Sequence, residues 1–148
     1  MKTLTSILFI LSFSLLTIAQ GNRDKIKALK IAFITEKLKE QDIRIHIETS
    51  GAYQLSGEWD WICLSPKKTK LPLEAIYKKA DELKIIISNK HDFKFAEEQA
   101  KKVTQKCELY LQPEWSKREK MTPFIIDYVM KNPQWKISLQ THKYLNIP

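Results

Sequence analysis

Glycine is scarce in this chain, with only three in 148 residues. A glycine-rich phosphate cradle is therefore excluded, and no P-loop, G-x-G-x-x-G or G-x-S-x-G sequence occurs. Metal-binding signatures are missing as well. There is no H-E-x-x-H and no C-x-x-C, and two cysteines, Cys63 and Cys107, cannot supply a four-thiolate site. Internal repeats, low-complexity tracts and Pro/Gly-rich linkers are absent, which at this length argues for one domain. With 43% hydrophobic and 28% charged residues, the composition is neither that of a disordered chain nor that of a disulfide-dense scaffold. Acidic groups are outnumbered: Lys+Arg 25 against Asp+Glu 17 leaves a formal charge of +8. Such a balance permits anionic ligands or nucleic acid and identifies neither. No RNP, helix-turn-helix or zinc-finger pattern accompanies it, so no nucleic-acid partner is expected.

Charge is also nearly absent from the first twenty residues, where Lys2 stands alone before Arg23. Ile7 to Ile18 is an apolar run interrupted only by serine and threonine, with small residues at Thr17 and Ala19. A charged start, a short apolar centre and small residues at its end describe a secretory signal peptide. The run is shorter than the ~20 residues that span a bilayer, so no stable membrane span is expected. Residues 1–20 are read as signal-peptide-like and 21–148 as a single α/β domain.

From Arg23 onward, helix and strand patterns alternate. Arg23–Glu40 reads as a helix, with Ile26, Leu29, Phe33, Ile34 and Leu38 returning at helical spacing. Ile43–Glu48 and Trp59–Leu64 read as strands, and Leu73–Glu82 as a helix opened by Pro72. Leu83–Ile87, with three consecutive isoleucines, suits a strand buried on both faces. Asp92–Lys106 is helical, and Glu108–Gln112 is a short strand. Thr122–Pro123 forms a cap and first turn for a helix ending near Asn132, and Trp135–Leu139 is the last strand. Strands joined by such crossovers imply a mostly parallel sheet of five strands with about four helices.

Each strand runs into a polar turn: Glu48-Thr49-Ser50-Gly51, Ser65-Pro66-Lys67-Lys68, Ser88-Asn89-Lys90-His91-Asp92, Gln112-Pro113-Glu114-Trp115 and Gln140-Thr141-His142-Lys143. The carboxyl ends of parallel strands share one edge, where ligands bind, so these clusters predict a single mouth. His142 is either a general acid/base or ligand contact, or a surface histidine. Lys67 either pairs with a carboxylate or phosphate, or belongs to a solvated basic turn with Lys68 and Lys70. Trp59, Trp61, Trp115 and Trp135 either stack on a flat base or pack the core. Cys63 and Cys107 either pair after export or remain small buried thiols. His91-Asp92 is too short to be a metal site.

Taken in order, these clusters are more specific than any one alone. Ile45-His46-Ile47-Glu48-Thr49-Ser50-Gly51 is followed by Asp60-Trp61-Ile62 leading to Ser65-Pro66-Lys67. Ala80-Asp81-Glu82-Leu83-Lys84, Leu111-Gln112-Pro113-Glu114 and Ser138-Leu139-Gln140-Thr141-His142-Lys143 come next, and the chain closes on Ile147-Pro148. From roughly Ala28 or Phe33 to Pro148, the sequence resembles the C-terminal portion of 7-carboxy-7-deazaguanine synthase, a radical S-adenosylmethionine family of queuosine and deazapurine biosynthesis.

The resemblance implies the C-terminal half of a partial (β/α) barrel, with S-adenosylmethionine and substrate at the carboxyl mouth. It implies a four-iron, four-sulfur cluster and magnesium as further cofactors, and conversion of 6-carboxy-5,6,7,8-tetrahydropterin to 7-carboxy-7-deazaguanine. Ser65, Pro66 and Lys67 match one S-adenosylmethionine-binding turn, and Gln112, Pro113, Glu114 and Trp115 match a second. Glu48 and Thr49 line the same mouth. Pro148, His142 and Gln140 match the substrate side. The three-cysteine cluster motif and the Gly-Gly-Glu-Pro segment of the family are not found in this sequence. The expectation is a truncated synthase incapable of radical chemistry alone, placed in the cytoplasm by resemblance. The alternative is a non-catalytic module, exported through the N-terminal segment, that binds S-adenosylmethionine or a purine-like ligand. An open sheet edge would favour self-association.

Overall fold

A computed structural model describes residues 22–147, and the 1–20 segment and Pro148 lie outside them. Five strands form one sheet in the order β1-β2-β3-β4-β5, with every neighbouring pair parallel. They are β1 (His46–Thr49), β2 (Trp61–Leu64), β3 (Glu82–Ile87), β4 (Glu108–Pro113) and β5 (Trp135–Ile137). The helices are α1 (Asn22–Lys39), α2 (Glu74–Tyr77), α3 (Asp92–Ala100), α4 (Arg118–Lys131) and α5 (Thr141–Tyr144), with a 3-10 turn over Trp115–Lys117. None of them is long and apolar enough to cross a membrane.

The two faces of the sheet differ sharply. Leu64, Leu83, Ile85, Ile87, Leu111 and Trp135 share one face and form the core with Ile76 and Tyr77 of α2, Ala96 of α3, and Met121 and Ile125 of α4. Alternate residues of β3 (Glu82, Lys84 and Ile86) are only partly covered. The strand expected to be buried on both faces is thus fully buried on one, because period-2 alternation sends its charged side chains to the other. No strand pairs with the outer side of β1 or β5 among the described residues.

Several helix limits differ from those the sequence pattern predicts. The helix expected over Leu73–Glu82 is the single turn α2, because Asp81 is used otherwise. Its carboxylate accepts from Ile62 N at 2.9 Å and its carbonyl from Glu108 N at 2.8 Å, bracing β2 and β4. Helix α3 stops at Ala100 rather than Lys106, and Cys107 N turns back onto the Thr104 carbonyl. Helix α4 starts at Arg118, ahead of Thr122. Thr122 does not cap it, and its hydroxyl donates back to the Arg118 carbonyl at 2.7 Å with Pro123 inside the helix. The last strand ends at Ile137, short of Leu139.

Helix α1 is displaced in phase rather than in position. Ile26, Leu29, Phe33 and Ile34 are 52%, 70%, 58% and 52% exposed, so four of the five apolar positions of the expected pattern face outward and Leu38 alone of them is partly covered. The inward stripe is Ala28, Ile31, Thr35 and Leu38, which has the same helical spacing. Thr35 is buried against Gly57, where a Cβ would stand 2.8 Å from the threonine hydroxyl. Lys39 anchors the helix end to Asp60 at 2.8 Å, and Asp60 also accepts from Ile45 N just before β1.

Candidate functional site

The partly covered face carries polar groups in rows, because parallel strands in register align like-facing residues. Glu48, Cys63, Glu82 and Glu108 pair in register across β1 to β4. One step toward the carboxyl edge, Lys84, Tyr110 and Lys136 pair across β3 to β5. An acidic row is therefore followed by a cationic and phenolic one. Diagonal contacts join the two rows: Lys84 Nζ donates to Glu48 at 2.7 Å, Lys136 Nζ to Glu108 at 2.9 Å and Tyr110 OH to Glu108 at 2.8 Å. Nearer the amino ends, the His46 ring stacks beside Trp61 with centroids 6.1 Å apart.

These contacts set the protonation states of the face. Burial works against the Lys84 ammonium, but the Glu48 hydrogen bond and the charges of Glu48 and Glu82 help hold its pKa above that of free lysine. Burial pushes the Cys63 thiol well above its ordinary range, and its donation to Glu82 at 3.2 Å adds to the shift. Hydrogen bonds from Lys136 and then Tyr110 lower the Glu108 carboxyl. The face presents fixed carboxylates and ammonium groups with a protonated thiol among them.

Beyond the charged rows lies the carboxyl edge. Thr49 Oγ1 accepts from Gly51 N at 3.1 Å, and the Thr49 carbonyl accepts from Ser65 N at 2.7 Å. Gly51 adopts φ +69°, and a Cβ there would lie 2.5 Å from Leu64 Cδ1 and 2.9 Å from Pro72 Cβ. Glycine is therefore required for the chain to leave β1 against β2. Ser65 is 2% exposed and its hydroxyl accepts from Lys67 Nζ at 3.2 Å. Pro66 is buried, while Lys67 is exposed. Gln112 is buried at the end of β4 and its Oε1 accepts from Ser138 Oγ at 3.1 Å. Pro113 closes the strand. Glu114 caps the following 3-10 turn through Ser116 N, and the Ser116 hydrogen bonds lower its carboxyl pKa.

Trp115 organises the C-terminal side. The Arg118 guanidinium lies 4.2 Å over its ring, Lys143 Nζ 5.3 Å over it, and the Tyr144 ring meets it edge-on at 5.0 Å. Helix α5, which carries His142 and is preceded by Gln140, is thereby docked beside the Gln112–Trp115 segment. His142 is exposed and its carbonyl accepts from Ile147 N. Thus Thr49, Ser65 and Gln112 stand at one edge, fixed by strand register, and α5 is held to the same edge by Trp115. Pro148, expected on the substrate side, lies outside the described residues. Of the other tryptophans, Trp135 belongs to the core, and Trp61 donates to Glu82 on the polar face. Both cysteines are free and buried.

The strand residues Glu82, Lys84, Glu108, Tyr110 and Lys136 were not among the sequence candidates. Their signal was available in the polar alternation of Glu82-x-Lys84, Glu108-x-Tyr110-x-Gln112 and Lys136-x-Ser138.

An open parallel sheet, with helices packed on one face and an ordered polar face leading to the strands' carboxyl edge, places the protein among the open parallel α/β folds. No family model matches the chain. It is 65% identical over 115 residues to a 7-carboxy-7-deazaguanine synthase of Flavobacterium psychrophilum, a match covering 78% of this chain and 55% of that protein. A 7-carboxy-7-deazaguanine synthase of Synechocystis sp. is 52% identical over 114 residues, or 77% of this chain and 54% of its own length. The crystal structure of QueE from Escherichia coli superposes with a TM-score of 0.65 at 24% identity, covering 72% of this chain and 49% of that one. The chain is thus similar to the C-terminal portion of 7-carboxy-7-deazaguanine synthases. It spans about half the length of the curated relatives it matches.

Proposed function

We propose that this chain forms the ligand-binding C-terminal portion of a 7-carboxy-7-deazaguanine synthase, holding S-adenosylmethionine beside a carboxylated tetrahydropterin at the carboxyl edge of its sheet. The observation that supports this best is the graded polar face, ending in Ser65, Gln112 and Ser138 at one edge. A buried hydroxyl, an amide and the Lys67 ammonium suit the ribose hydroxyls and carboxylate of S-adenosylmethionine. Trp115, half-buried and flanked by Arg118 and Lys143, offers a flat cationic platform for a heterocycle. Gln140 and His142 on the α5 side, and Glu48 and Thr49 on the β1 side, complete the contacts expected of the family.

The iron–sulfur cluster does not fit this chain's own thiols. Three thiolates are needed, and the two present stand on opposite faces of the sheet, Cys63 among the charged rows and Cys107 in the core. Both are held protonated by burial. Magnesium finds no convergent set of three ligating side chains among the described residues. The 148-residue chain therefore binds and orients its ligands without generating the radical. Among the described residues the β1 edge is unpaired and a stripe of α1 exposed, and both surfaces favour association between copies of the chain.

Titration calorimetry tests the binding step: heat is expected with S-adenosylmethionine and with the tetrahydropterin, and none with either would overturn the reading. Anaerobic incubation with iron, sulfide, a reductant and both ligands is expected to give no 7-carboxy-7-deazaguanine. Turnover there would refute the claim that the chain cannot act alone.

A further inference from the structure

We infer that Lys84 is a positioning residue of this site, fixing the Glu48 carboxylate so that its second oxygen meets a donor group of the bound S-adenosylmethionine. The inference rests on the binding role proposed above and assigns a function to a strand-centre residue that touches no ligand itself.

Four observations carry it. First, the contact is long-range. Lys84 on β3 reaches across β2 to Glu48 on β1 with Nζ 2.7 Å from Oε2. Between them on β2 stands Cys63, in register with Glu48 on one side and Glu82 on the other. Second, the competing carboxylate is occupied. Glu82 Oε1 accepts from Cys63 Sγ at 3.2 Å and its Oε2 from Trp61 Nε1 at 3.2 Å, which directs Lys84 to Glu48.

Third, the pair is lopsided in exposure. The Lys84 side chain is 13% exposed and that of Glu48 39%. The lysine is therefore a fixed, covered anchor, and the carboxylate is the end that solvent or a ligand can reach. Lys84 is the only hydrogen-bond partner of the Glu48 side chain among the described residues, so Oε1 is left to an incoming N–H or O–H. Fourth, location matters. Glu48 immediately precedes Thr49, whose carbonyl accepts from Ser65 N, so the carboxylate stands one residue before the junction of β1 with the Ser65 turn. Stability does not account for the arrangement. Covered ion pairs gain little over apolar residues of similar volume, because desolvation offsets their attraction.

The experiment is calorimetric titration of the full chain with S-adenosylmethionine, using the wild type, Lys84→Met, Lys84→Arg, Glu48→Gln and the Lys84→Met/Glu48→Gln double variant. Thermal melts of each confirm folding. Lys84→Met is expected to weaken binding about tenfold, the cost of loosening one charge-assisted contact. Lys84→Arg should return to within about threefold of wild type, because a cation again reaches Glu48. The double variant should bind no worse than Glu48→Gln alone, since the two residues act as a unit. A merely structural lysine would lower the melting temperature without this non-additivity. If Lys84→Met does not fold, Lys84→Gln carries the same expectation. Wild-type binding with unchanged affinity in the Lys84 variant, or effects that simply add, would overturn the inference and leave the binding role standing. No heat with wild-type protein would overturn both.

Discussion

Asp92 offers the sharpest quantitative test of how the carboxyl edge is held. It opens α3 and is 1% exposed, yet it carries a charge. Its Oδ2 accepts from Ser88 N at 2.6 Å, Ser88 Oγ at 2.9 Å and Asn89 N at 3.0 Å, and Oδ1 accepts from Lys68 Nζ. The carboxylate thus ties down the turn that leaves β3. Burial alone would raise its pKa, but the Lys68 ammonium and the Ser88 and Asn89 donors reverse this and hold it at about 2, against an ordinary 3.8. A downward shift of ~1.8 units corresponds to about 2 kcal/mol favouring the folded state. Because the folded pKa is depressed, that contribution is complete above pH ~4 and is lost as the pH falls through ~2. Asp92→Asn keeps the shape and one acceptor but not the charge, so it should cost about 2 kcal/mol at pH 6 and almost nothing near pH 2. Lys68 is 53% exposed at its side chain, where an ion pair contributes less than ~1 kcal/mol, so Lys68→Met should cost less than half as much. Urea unfolding followed by circular dichroism at pH 6 and pH 2.5 measures both. A gap between wild type and Asp92→Asn that is independent of pH would refute the reasoning, as would a Lys68→Met loss equal to that of Asp92→Asn.

Gly51→Ala should destabilise by at least ~3 kcal/mol, since φ +69° and a Cβ 2.5 Å from Leu64 Cδ1 combine strain with overpacking, and a melt of that variant checks it. Cys107, its thiol pushed to about 12 by burial first and Asp81 next, and Cys63, pushed still higher, should resist iodoacetamide at pH 8 in the folded protein and react fully in urea. Rapid labelling of either without denaturant would contradict the burial described.

The alternation of elements was legible because turn chemistry punctuates it: all five strands lie where apolar runs end in polar turns, and all are parallel. Phase and limits were less so. Apolar residues fall on two faces of α1, and spacing alone does not say which packs; Gly57 decides it by admitting Thr35. Thr122–Pro123 has the pattern of a helix start, but Glu114 had already capped a turn that runs on into α4, leaving the proline inside. Asp81 looks helical beside Glu82, yet its carboxylate is needed between β2 and β4, a demand visible only once three strands are assembled.

The candidate site was only half visible for a related physical cause. Ser65 and Trp115 stand in turns and Gln112 at the end of its strand, where an unusual residue is conspicuous. Lys84 stands in Glu-Leu-Lys-Ile-Ile-Ile, a segment whose isoleucines argue for double burial. Three of its residues, Leu83, Ile85 and Ile87, are buried to 1% exposure or less, and that anchoring is what holds Glu82 and Lys84 on the opposite side at fixed height. The apolar alternation that builds the core is thus the device that ranks the charges: a strand pinned by Leu83 and Ile85 cannot slip by one residue without burying Lys84, so the acid row and the cation row keep their order. The polar face and the hydrophobic core are consequently one constraint, and a ligand at the carboxyl edge meets groups whose spacing was set by the packing behind them.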